Sequence, residues 1–188
     1  MIVIIAIAAV VVGFAGLVTF RARAGKGSSA QSVGGALSKM SQAGFREAET
    51  ALKAGKFEVK SSIKFNADCA GKSEGELREY FLSNPCEGLA RAYIQIGDAR
   101  RNLILVAISW VEMSSVASGE EYGRLVVVDV GNIVELSREV PTLKNITYED
   151  RLYASGVKGA FVWQVEVKPV TAKVPDAVVN DVLERTRQ

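Results

Sequence analysis

Residues 2–20, IVIIAIAAVVVGFAGLVTF, carry no charged side chain and a single polar one, Thr19. As a helix rising 1.5 Å per residue, such a run spans roughly 28 Å, close to the thickness of a bilayer hydrocarbon core. A helix in a protein core is seldom apolar on every side along its whole length, so the run reads as a transmembrane anchor over residues 1–22. Whatever follows must then fold while tethered to a membrane surface. Ala22-Arg23-Ala24 has the small-x-small form of a processing site. The apolar run is nevertheless longer than the roughly 7–15 residues of a signal-peptide core, and no basic segment precedes it, so a retained anchor is expected.

The side of the membrane is contested by two signals. Arg21, Arg23 and Lys26 flank the anchor on its C-terminal side, and only Met1 lies on the other. The positive-inside rule alone would put the domain in the cytoplasm. Cys69 and Cys86 pull the other way, because a lasting disulfide needs an oxidising compartment. An upstream start carrying a basic flank would resolve the conflict, and the expectation is a single-pass protein with an extracytoplasmic domain.

All 23 basic and 21 acidic residues follow the anchor, so the rest of the chain is nearly neutral. No concentrated basic face is available for nucleic acid. The chain also has no histidine. That removes Ser-His-Asp and Cys-His catalysis, the histidine-carboxylate iron sites and almost every catalytic zinc site. No catalytic residue, cofactor or metal ligand is assigned, and no enzymatic activity is expected.

Residues 23–55 divide into a glycine- and serine-rich exit, AGKGSSAQSVGG at 24–35, and a juxtamembrane helix from Ala36 to Ala54. Leu37, Met40, Phe45, Ala48 and Leu52 form its apolar stripe, with Gly55 as its stop. This helix either packs on the domain or serves as a stalk. Residues 56–188 read as an α+β domain. FEVKSSIKF alternates like a half-buried strand, with Phe57, Val59, Ile63 and Phe65 on one side. Ser73 and Glu76 have capping-box spacing for a helix with Leu77, Tyr80 and Phe81 inward, which Asn84-Pro85 ends. Leu89–Ile96 and LILVAISWV make a hairpin around GDARRN, the second strand buried on both faces.

Residues 114–127 then read as a helix with Val116, Tyr122, Leu125 and Val126 inward, followed by a turn at 129–132. Brief alternation at Ile133–Leu136 precedes a polar loop over 137–150. In AFVWQVEVK, Phe161, Trp163, Val165 and Val167 oppose Gln164, Glu166 and Lys168, the pattern of an antiparallel sheet with one wet face. Pro175 opens a last helix through Val178, Val179, Val182 and Leu183. The expected architecture is a small antiparallel sheet with helices packed on one face.

Cys69 and Cys86 lie 17 residues apart, with a short helix folding the chain back between them. A structural disulfide is the expected state, and two independent thiols would be the state of a cytosolic domain. Two sulfurs without histidine or C-x-x-C spacing do not make a zinc or redox site. Glu120-Glu121 and Glu149-Asp150 are adjacent in sequence, so their side chains diverge and read as solvated charge. Arg100 and Arg101 in the hairpin turn are contacts for a partner's acidic patch or an anionic lipid head group, or simply solvate the turn. Trp110 and Trp163 read as core. GVKGA at 156–160 is a glycine-containing turn without phosphate-loop spacing, and Asn145-Ile146-Thr147 has the form of a glycosylation acceptor.

The runs DCAGKS at 68–73, YFLSNPC at 80–86, LARAYIQI at 89–96, AISWV at 107–111, VVDVGNIVEL at 127–136 and YAS at 153–155 together resemble a group of actinobacterial single-pass membrane proteins without an assigned activity. The resemblance covers roughly residues 60–187. It implies an N-terminal anchor and an exported α+β domain whose two cysteines are joined, and it brings no catalytic residue. The chain departs from the pattern in lacking a basic N-terminus. The function expected is that of a membrane-anchored extracytoplasmic interaction module, an accessory or scaffolding subunit meeting the bilayer and another envelope protein. The alternative is a tethered domain that senses a small ligand or lipid.

Overall fold

The structure is a computed structural model that describes residues 29–97, 102–128, 130–171 and 174–187. The anchor expected at 1–22 lies outside the described residues, and no helix among those described is long and apolar enough to cross a membrane. Helix α1 (Ser29–Ala54) is followed by strand β1 (Glu58–Asn66), the short β2 (Ser73–Gly75), α2 (Glu76–Ser83), the long strands β3 (Gly88–Gly97) and β4 (Leu103–Glu112), and α3 (Val116–Val127). The short β5 (Gly131–Ile133), β6 (Leu152–Lys158), β7 (Phe161–Pro169) and α4 (Asp176–Thr186) complete it. The α+β class holds. The main sheet is antiparallel throughout in the order β1-β3-β4-β7-β6, and β2 pairs with β5 in a separate two-stranded ribbon.

The expectation of helices on one face is corrected, because both faces are covered. On the first, Ala92 and Ile94 of β3, Val106, Ile108 and Trp110 of β4, and Val165 and Val167 of β7 meet Leu37, Ala48 and Leu52 of α1 and Val179 and Val182 of α4. On the second, Leu89, Val111 and Val162 pack with Leu77 and Phe81 of α2 and Tyr122 and Val126 of α3. Leu105 and Ala107 complete that face against Leu143 and Tyr148 of the 140–150 loop. The cause lies in β4, whose two parities are both apolar, so each must be kept from water.

The same layer corrects the wet face expected for β7. Gln164 and Glu166 are buried because partners accept their polarity. Gln164 donates to the Tyr122 hydroxyl at 2.8 Å, and Asn132 donates to Glu166 at 2.8 Å. Buried polar groups are tolerated where such bonds replace water.

Of the two roles left open for the helix expected over 36–54, packing on the sheet is the one observed. The helix begins at Ser29 inside the stretch read as flexible. After it, Lys56 and not Gly55 carries the left-handed conformation, with φ 63°. The predicted cap of α2 does not form. Ser73 lies in β2 and donates to the Cys69 carbonyl at 2.6 Å, and the helix starts at Glu76 after Gly75, whose φ of 65° suits glycine. The Glu76 N–H is satisfied instead by the Val130 carbonyl at 2.9 Å. Val116, expected inward, is exposed at the first turn of α3, where Ser115 and Ser118 form the capping box. Strand β6 falls where only a glycine turn was read. GVKGA straddles the end of that strand and the tight turn at Gly159-Ala160.

Cys69 and Cys86 form a disulfide, with Cα atoms 6.2 Å apart. It closes the segment holding β2 and α2, and both cysteines pack beside Leu77 and Phe81. By loop-closure entropy, a bond spanning 17 residues contributes about 3 kcal/mol. The Cys69→Ala/Cys86→Ala variant is expected to melt roughly 6–12 °C below the oxidised protein in a thermal scan. A shift smaller than about 1 °C would deny the bond a stabilising role.

Candidate functional site

An apolar groove of about 600 Å³ lies on the first face of the sheet. One wall is α1, through Met40, Ala43, Gly44 and Glu47. The floor and opposite wall are Trp110 of β4, Gly156–Lys158 of β6, and Phe161 and Trp163 of β7, and Arg187 closes one end beyond α4. The groove exists because α1 turns small residues, Ala43 and Gly44, toward a sheet that offers large ones. The chain's two tryptophans both line it.

Gly156 and Trp163 are directly cross-strand, and the indole lies over the glycine. A Cβ at Gly156 would come within 2.5 Å of the Trp163 ring. A bare glycine on the edge strand thus sets the height of the aromatic wall. Trp110 is 1% exposed, and its indole N–H finds no acceptor among the described residues. At the rim, Arg187 pairs with Glu184 at 2.9 Å on the surface, whereas Lys158 has no ion pair among the described residues. The arrangement offers a hydrophobic bed with a small number of charges at its mouth, the usual makeup of a ligand site.

A separate polar cluster occupies the second face. Arg91, 1% exposed, donates to Asn66 at 3.0 Å and to the Val134 carbonyl at 2.8 Å, and pairs with Glu139 at 2.5 Å. Glu139 also receives Lys64 at 2.7 Å and Lys72 at 3.2 Å. Hydrogen bonds from Lys64 and Arg91 hold its carboxyl far below the usual range, at about 2. Glu166 goes the other way. Burial pushes it up to about 7, and the nearby Glu135 adds to that, against the opposing pull of its ion pair with Arg151. Glu135 itself is bound by Arg138 at 2.6 Å. A cavity of about 10 Å³, room for one water, lies among Arg91, Ser109, Asn132, Glu135 and Glu166. Each of these charges is matched within the fold, so the cluster serves as cross-bracing between the sheet and the segments covering it.

Among the residues singled out from sequence, Cys69 and Cys86 are joined as a structural element away from the groove. Arg100 and Arg101 lie outside the described residues. Glu120, Glu121, Glu149 and Asp150 are exposed, as solvated charge requires. Trp110 is core, while Trp163 is only partly buried and forms part of the groove wall. The groove itself was missed, since it depends on the spacing between α1 and β7, which are distant in sequence. Glycine opposite tryptophan is its only local trace. Comparison with known family models, curated proteins and solved structures gives no match.

The two displaced carboxyls give stability opposite slopes. Glu166, raised from 4.5 to about 7, contributes stability that is complete below pH 4.5 and lost as pH rises toward 7. Glu139, lowered to about 2, contributes stability that is complete above pH 4.5 and lost as pH falls toward 2. In urea titrations at stepped pH, Glu166→Gln should flatten the profile between pH 4.5 and 7 and leave the acid limb intact. Glu139→Gln should remove the acid limb alone. The same profile for all three proteins would refute the assignment.

Proposed function

We propose that the protein is a membrane-tethered binding module working on the extracytoplasmic side of a cell envelope, by recognition and not by catalysis. The groove between α1 and the sheet carries this reading. It is concave, apolar and aromatic, with a few charges at its mouth, and that form favours ligand or lipid binding over a flat docking surface. The disulfide supports an oxidising address. The apolar run at 2–20 supports the tether, and the near-neutral remainder of the chain argues against nucleic acid.

A second reading, an accessory or scaffolding subunit docked on another envelope protein, is favoured by the edge strand β6. That strand ends the sheet and has no charged residue from Leu152 to Val157, whereas the other edge, β1, holds Glu58, Lys60 and Lys64. Charges on an edge discourage strand addition, and β6 lacks them.

Two measurements test the proposal. On intact cells, a membrane-impermeant thiol reagent should label Cys69 and Cys86 only after reduction. Labelling without reduction would overturn the extracytoplasmic, disulfide-bonded state. In thermal-shift assays, an envelope lipid extract should raise the melting temperature of the native protein but not of Ala43→Phe, which fills the groove from an exposed position on α1. No shift, together with a stable protein complex in mild detergent, would move support to the second reading.

A further inference from the structure

The groove combines two features that narrow what it takes. Its interior is hydrocarbon and aromatic, through Met40, Trp110, Phe161 and Trp163. Its mouth has two cations, Lys158 and Arg187, against one carboxylate, Glu47. The pair that Arg187 makes with Glu184 is between well-exposed groups, and such pairs exchange at little cost. Lys158, beside the β6–β7 turn, is left to find its counter-charge elsewhere. A polypeptide partner needs a continuous apolar or backbone-paired surface, while this site offers an apolar bed with a few charged side chains in its lining. A volume of about 600 Å³ lies within the range of small-molecule sites.

We infer that the groove binds an anionic single-chain amphiphile, its hydrocarbon chain between α1 and the Trp163 wall and its carboxylate or phosphate head at Lys158 and Arg187. This rests on the binding reading proposed above and deepens it. Chain burial supplies affinity in proportion to the apolar area covered. The head group supplies selectivity through charge-assisted hydrogen bonds at the rim.

The two tryptophans make the site self-reporting, because no other tryptophan exists in the chain. The full chain is reconstituted in phosphatidylcholine nanodiscs and titrated with brominated dodecanoate, with brominated dodecyl phosphate and with an uncharged brominated dodecyl glucoside. The anionic probes should quench tryptophan emission saturably, at concentrations roughly tenfold or more below the uncharged one. Lys158→Glu should remove that tenfold advantage of the anionic probes over the uncharged one. Ala43→Phe should abolish saturable quenching by all three.

Equal quenching by charged and uncharged probes would overturn the anionic assignment and leave the binding reading standing. No saturable quenching by any probe would overturn both. Emission that shifts with protein concentration alone would show a second copy in the groove, and would likewise overturn the inference.

Discussion

Strand β4 has to be dry on both of its faces, and the rest of the fold answers that requirement. From Ile104 to Val111 every residue is buried. One parity takes α1 and α4, the other α2, α3 and the 140–150 loop. An antiparallel sheet usually leaves one face to water. This one cannot, because Leu105, Ala107 and Val111 are as apolar as their neighbours. Helix α1 is therefore a structural layer of the domain, and the groove arises where that layer stands off from the sheet.

Covering the second face obliges polar residues of β3 and β7 to be buried with it. Arg91 is the most demanding of them, since a guanidinium removed from water must have each donor engaged. It draws on Asn66 of β1 and on Val134 and Glu139 of the segment after β5. The resulting bonds specify where the 134–139 segment must lie, in a way that apolar packing alone does not. The groove face is braced more lightly, by Ser61 of β1 donating to Glu49 of α1 and by Arg185 of α4 donating to the Ala51 carbonyl, and beside the groove the sheet offers rings and small residues. The two faces thus differ in how they are held, the second by a buried ion network and the first mainly by apolar packing.

Most strands and helices were legible in the sequence because their signals are local. The alternation of β1 and β7, the all-apolar run of β4 and the stripe of α1 each declare a face. What was not legible depends on partners distant in the chain. Ser73 and Glu76 have the spacing of a cap, yet the Val130 carbonyl reaches the helix start first. Gln164 and Glu166 read as wet until Tyr122, Asn132 and Arg151 are brought to them. Strand β6, with Gly156 and Ser155 at its centre, lacks the side chains by which strands are recognised, and Trp163 supplies from β7 the cover its glycine lacks. The groove inherits this difficulty, since its two walls lie more than a hundred residues apart in sequence.

The disulfide also bears on the order in which the sheet is assembled. Strands β1 and β3 pair through Asn66 and Leu89, which are separated along the backbone by the whole of β2 and α2. Across the bond from Cys69 to Cys86, only residues 67–69 and 86–88 intervene. In the oxidised chain the pair is topologically a short-looped hairpin, with the β2–α2 segment as an appended lobe. Short closures cost less chain entropy and are reached sooner in the search for the native state. Oxidation before folding would therefore let β1, β3 and β4 form as a local meander, onto which the β6–β7 hairpin adds.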